Sequence, residues 1–164
     1  MSQVTLDEPH GATSDEPGHE HAPRGFWSRY VFSFDHKVIG IQYIVVAVLM
    51  AFVGGGLALM MRLQLAKNGD VLIQPDTYLA LVTMHGTIMV FFVVSLALVS
   101  GFGNFLIPLQ IGARDMAYPL LNMLSFWVIV PACALIVASF WVEGGAAAAG
   151  WTAYPPLSAL PGAL

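Results

Sequence analysis

Charge is what this sequence most lacks. Only 10% of its 164 residues are Asp, Glu, Lys or Arg, against 57% hydrophobic ones, whereas soluble domains carry about 25% charged residues. That scarcity excludes an ordinary soluble domain, and the mean hydropathy of +0.74 agrees. Cysteine is scarcer still: Cys133 stands alone, which excludes a disulfide framework within the chain. No short apolar core with a cleavage site comes before the first long apolar run, so the N-terminus does not read as a signal peptide. The net charge of −4 comes largely from Asp7, Glu8, Asp15, Glu16 and Glu20, so it says little about partners.

What is abundant is long apolar sequence. A helix crossing a bilayer needs about 20 mostly apolar residues, and the chain offers three such runs, predicting an all-α integral membrane protein with spans over 38–62, 78–107 and 119–142. The last turns of the second run, with Gly101, Gly103 and Asn104, are expected near the interface. Residues 1–24 are polar, carry Pro9, Pro17 and Pro23, and predict a disordered tail. Its His10, His19 and His21 read as solvated, with metal binding the less favoured alternative. Residues 25–37 hold Phe26, Trp27, Tyr30 and Phe32 beside Arg29, a composition suited to the headgroup zone. An outer loop is expected over 63–77, a cytoplasmic loop over 108–118 and an outer segment over 143–164.

Orientation follows from the basic residues. Arg24, Arg29, Lys37 and Arg114 fall on one side and Arg62 and Lys67 on the other, so the positive-inside rule puts the N-terminus in the cytoplasm. Asp115 stands where it could cap the third span, Pro119 suits its first turn, and Pro131 predicts a kink.

The second span contains "LALVTMHGTIMVFFVVSLAL", in which His85 is the one ionisable residue. Such residues within a bilayer are costly and by default functional. Three readings stand: a neutral histidine bonded to another helix, a proton relay, or an axial haem ligand, for which imidazole is a good donor. Gly86 removes a side chain beside it, and Phe91 and Phe92 offer apolar walls. Spacing alone leaves all three open.

The stretches "DHKVIGIQY", "MHGTIMVFF", "GFGNFLIPLQIGARDMAYP", "LNMLSFW" and "GWTAYPPLSAL", in this order and with similar gaps, resemble subunit I of the haem-copper terminal oxidases, of the A type that includes cytochrome c oxidase. The resemblance covers residues 35–160. It implies the first three helices of a twelve-helix bundle, with His85 as one axial ligand of a low-spin haem, haem a by type. It also implies that Arg62 bonds a substituent of that haem and that Trp151 lies by its propionates. Asp115, Asn104 and Asn122 match the start of the family's D-type proton channel, an acid to collect protons followed by amides to hold waters. Without the resemblance, Arg62 reads as a snorkelling interfacial arginine, Trp151 as a belt residue, and Asp115 as a helix cap beside Arg114. Asp35, His36 and Lys37 read as a cluster at the start of the first helix, with direct proton uptake the less favoured role. Met123 and Arg114 depart from the mitochondrial-like pattern, and Gln64 replaces an acid of the outer cation site found in many relatives.

Relatives that oxidise quinol carry polar groups where this chain has Val53, Leu57, Thr77 and Ala80, so the resemblance implies cytochrome c as donor. The high-spin haem, the copper and the oxygen-reducing site belong to later helices of the family. The chain is therefore expected to act as a fragment, or as a split or truncated subunit, completed by the remainder of subunit I and by other oxidase subunits in a bacterial cytoplasmic membrane. No nucleic-acid partner is expected. The rival from another class is a non-catalytic three-helix module for haem binding or assembly, and a nitric oxide reductase is a lesser alternative.

Overall fold

The structure is a computed structural model and describes residues 25–67 and 69–159; the expectations for the 1–24 tail and its histidines lie outside the described residues. Three helices are long and apolar enough to cross a membrane, and no strand occurs among the described residues. We label them α1 (His36–Ala66), α2 (Pro75–Gln110) and α3 (Pro119–Ala138).

Each helix begins at a recognisable signal. The carboxylate of Asp35 accepts from the Lys37 N–H at 2.8 Å and caps α1, satisfying a donor that the first turn leaves free. Pro75 and Pro119 open α2 and α3, where a missing N–H costs nothing. The helix continues through Pro131 without a break, and its last turn tightens into a short 3-10 stretch, Ser139–Trp141. The third span therefore ends one residue before the expected 142, while the first two run beyond their expected bounds at both ends.

Within α2 the middle section, Ile88–Phe102, is π-helical. Its N–H groups reach five residues back rather than four, and the Ser95 hydroxyl likewise donates to the Val90 carbonyl at 3.0 Å. The wider turn moves the buried side onto Ile88, Leu96 and Gly101. Helices α1 and α2 run antiparallel and meet through small residues. A Cβ on Gly40 would lie 3.0 Å from the Gly101 carbonyl, one on Gly101 2.6 Å from Ile44, and one on Gly54 2.7 Å from Met89. Close backbone approach of this kind is how helices associate where apolar burial drives little. Gly101 and Asn104 are thus buried against α1, and the helix runs on to Gln110.

The core combines Ile39, Tyr43, Ala47 and Met50 of α1 with Ile88 and Leu96 of α2 and Phe126 and Cys133 of α3. The α1 members recur every three or four residues, one stripe of a helix. Before α1, Phe32 stacks on Trp127 of α3 with ring centres 5.1 Å apart, and Gln42 donates to the carbonyls of Tyr30 and Val31. Phe26 and Trp27 stay exposed, as headgroup-zone residues would.

Candidate functional site

Chemistry-bearing side chains gather at both ends of the bundle. At the end where α1 and α3 begin, Asp115 Oδ1 accepts from the Met116 N–H at 2.8 Å and lies 3.1 Å from His36 Nδ1. A carboxylate only accepts, so the imidazole donates through Nδ1 and its Nε2 becomes the acceptor. The Asp115 side chain is 42% exposed and that of His36 4%: one end of the pair meets water while the other is inside. Asp35 Oδ1 stands 3.9 Å from the same ring nitrogen.

This corrects the expectation that Asp115 could cap the third span. The residue before α3 is Tyr118 and no side chain caps the helix, because Asp115 is turned toward α1. His36, read as one of a starting cluster, is instead the buried partner of Asp115 across 79 residues of sequence.

Further polar groups lie at this end of the bundle. Gly40, one turn beyond His36, touches the Gly101–Phe105 turn of α2, which brings buried Asn104 to the level of the first turns of α1. Asn122 enters from α3 with its Nδ2 buried and without a partner; His36 Nε2 is in the same condition. One turn farther, the Ser125 hydroxyl donates to the Asn122 carbonyl at 2.7 Å. Its single proton is then committed, so the Tyr43 hydroxyl donates to Ser125 Oγ at 2.8 Å. Tyr43 is 3% exposed and lies edge-on to Phe126. Sequence reasoning passed over Tyr43 and Ser125; the only signal was that Ser125 stands three residues beyond Asn122, on the same helical face.

In the opposite half, His85 is partly buried, and its Nδ1 lies 2.8 Å from the Gly54 carbonyl of α1. A carbonyl accepts, so Nδ1 carries the proton and Nε2 keeps its lone pair, the tautomer of a metal-ligating histidine held by an outer hydrogen bond. No metal-binding cluster of three or more His, Cys, Asp or Glu occurs among the described residues. A haem fits these residues on other grounds: one oriented donor nitrogen, a neighbouring glycine, and aromatic rings close by. Trp151 lies over Gly86, where a Cβ would come 3.1 Å from its ring, and its ring centre is 6.2 Å from that of Phe91.

Arg62 is exposed. It stands eight residues beyond Gly54 on α1, so its backbone lies about 12 Å farther along the helix than the His85 contact. If Arg62 bonds a substituent of a haem on His85, as the resemblance implies, only its long side chain can span that distance. Gln64 is committed elsewhere. Its Oε1 accepts from the N–H groups of Leu72 and Ile73 at 2.9 and 2.8 Å, and its Nε2 donates to the Asp70 carbonyl at 3.1 Å. The amide thereby ties down the loop between α1 and α2.

Residues 38–164 match the family model for cytochrome c and quinol oxidase polypeptide I. The chain belongs to this family. It is 48% identical over 161 residues to cytochrome c oxidase subunit 1 of Thermostichus vulcanus, covering 98% of this chain and 28% of that protein. It is 44% identical to the alternative cytochrome c oxidase subunit 1 of Bradyrhizobium diazoefficiens, over 96% of this chain and 28% of that protein. To quinol oxidase subunit 1 of Bacillus spizizenii it is 47% identical, over 80% of this chain and 20% of that protein. The chain thus spans under a third of the length of these oxidase subunits. Within this oxidase family segment, the structure brings His36, Asp115, Asn104 and Asn122 to one end of the bundle, and His85 and Trp151 together in the other half.

Proposed function

We propose that this chain is part of the catalytic subunit of a respiratory haem-copper oxidase that passes electrons from cytochrome c to oxygen and pumps protons. Its His85 would supply one ligand to a low-spin haem, and Asp115 with Asn104 and Asn122 would form a D-type proton entry. The N-terminus faces the cytoplasm, the bundle crosses a bacterial cytoplasmic membrane, and the oxygen-reducing high-spin haem and copper are held by the remainder of subunit I, assembled with other oxidase subunits.

The observation that carries this reading is the Asp115–His36 pair at the end of the bundle that also holds the buried amides of Asn104 and Asn122. A helix bundle that only carried haem would have no use for a half-exposed carboxylate joined to a buried imidazole, or for a buried amide without a partner. Asp115 takes a proton from the cytoplasm at a carboxylate oxygen, while the His36 Nδ1–H holds that carboxylate in place. Water bridging His36 Nε2, Asn104 and Asn122 Nδ2 would satisfy the orphaned groups, whose burial is otherwise costly. The Tyr43–Ser125–Asn122 chain then holds the facing walls of α1 and α3 at a fixed separation.

At the other half, a haem, when bound, would supply one-electron transfer. The residues orient it: His85 presents Nε2, Gly54 prevents ring rotation by accepting from Nδ1, and Trp151 and Phe91 exclude water. Arg62, reaching toward a substituent, would favour the reduced state through its positive charge. The donor assignment rests on Val53, Leu57, Thr77 and Ala80, none of which can repeat the hydrogen bonds to a quinol ring; Val53 and Leu57 are packed against the core and Ala80 is buried.

Asp115→Asn in the assembled oxidase tests the proposal. Asparagine keeps an oxygen to accept from His36 and from the Met116 N–H, but cannot carry a proton. Oxygen consumption and proton release from vesicles should both fall severely with haem content unchanged. Full turnover with full pumping would remove the uptake role.

A further inference from the structure

Thr83 lies two residues before His85 on α2 and is 4% exposed. Its hydroxyl donates to the Leu79 carbonyl at 2.8 Å and accepts from the Gly150 N–H at 2.9 Å. The second bond joins residues 67 apart in sequence and fastens the outer segment to the helix that carries the haem ligand. Gly150 has φ +87°, the left-handed region that glycine tolerates, and the Ala153 N–H closes the turn back to the Gly150 carbonyl at 3.0 Å. Trp151 is the next residue in that turn, and its ring lies on Gly86, directly after His85. The preceding part of the segment seats Ala146 against Ala80 and Met84.

We propose that Thr83 is a positioning residue: its bond to Gly150 locks the turn that carries Trp151 onto the His85–Gly86 step, and through Trp151 it tunes the electron-accepting property of the haem that His85 holds. Besides this bond, ring contacts and the packing of Ala146 hold Trp151 in place, and it is 52% exposed, so loss of the hydroxyl loosens the seat of the indole. Gly86 completes the device, because any side chain there would push the ring away. The inference rests on the haem reading of His85. Its direction follows from electrostatics. Opening Trp151 admits water, which stabilises the more highly charged oxidised haem, so the reduction potential falls.

The test uses the complete oxidase with its haems. Thr83→Val keeps the shape and removes both hydrogen bonds; Thr83→Ser keeps them. In Thr83→Val, amide exchange across residues 146–153 should speed up by about tenfold and the low-spin haem potential should fall, while Thr83→Ser should restore both. Gly86→Ala, which displaces the ring but leaves the Thr83–Gly150 bond, should lower the potential with Gly150 still protected. In a Trp151→Phe background, Thr83→Val should bring little further change in potential, because the two act in series. Unchanged exchange in Thr83→Val would overturn the clamp. Faster exchange with unchanged potential would reduce Thr83 to a loop tether, and an undiminished potential shift in the Trp151→Phe background would show that it does not act through Trp151. If His85→Ala kept a normal low-spin signal, the haem half of the inference would fall while the exchange result stood.

Discussion

The run Gly54–Gly55–Gly56 in α1 offers a comparison of three identical residues in different surroundings. An added methyl on Gly54 would come 2.7 Å from Met89 Sδ and 3.2 Å from Ile88 Cγ2, while one on Gly55 or Gly56 would meet nothing within 4 Å. Replacing a mid-helix glycine by alanine is worth about 0.5–1 kcal/mol to the helix. Gly56→Ala should therefore stabilise the bundle by about that amount. At Gly54 the same gain is opposed by overpacking, which costs about 1–3 kcal/mol, at the lower end because Met89 is flexible. The net at Gly54 is a destabilisation of at most about 0.5 kcal/mol, so the two substitutions should differ by about 1 kcal/mol. Gly54 also accepts from His85, so pushing α1 off α2 there should disturb the imidazole. Gly54→Val, with a branched side chain that a shift of Met89 cannot accommodate, should broaden the low-spin haem band and reduce haem content. Denaturation of the purified oxidase, followed by haem absorbance, would measure all three variants. Equal midpoints for Gly54→Ala and Gly56→Ala, with an unaltered spectrum in Gly54→Val, would refute the packing argument.

Other substitutions address single contacts. His85→Ala should abolish the low-spin haem spectrum, and retention of a six-coordinate low-spin signal in optical or paramagnetic resonance spectra would exclude ligation there. Arg62→Met should shift the low-spin absorption band and lower the potential in a redox titration; no change in either would make Arg62 an interfacial anchor. Ser125→Ala removes the acceptor of the buried Tyr43 hydroxyl and should destabilise the α1–α3 contact by about 1–3 kcal/mol, read as a lower denaturation midpoint, whereas Tyr43→Phe, which removes the donor and leaves the Ser125 hydroxyl still bonded to the Asn122 carbonyl, should cost less. The opposite order would mean that the Tyr43–Ser125 bond is not what holds these helices.

The sequence alone determined that the chain is all-helical and crosses a membrane three times. Apolar runs of this length have lipid as their solvent, and in lipid a single segment can satisfy its backbone only as a helix. It also determined where to look, since one histidine in an otherwise uncharged span and a lone acid between two spans stand out without any structure. It could not say which face of each helix is buried: lipid-facing and core-facing residues are equally apolar, so the usual helical contrast that marks a core side is absent. The choice of Gly54 over Gly55 and Gly56, and the π-helical register that sets Leu96 and Gly101 inward, were decided by tertiary packing. So were the pairings across long separations: His36 with Asp115, Tyr43 with Ser125, and Thr83 with Gly150. Each is a short directional bond between elements whose spacing depends on how closely glycines and alanines let the helices approach, a distance that no local pattern of residues encodes.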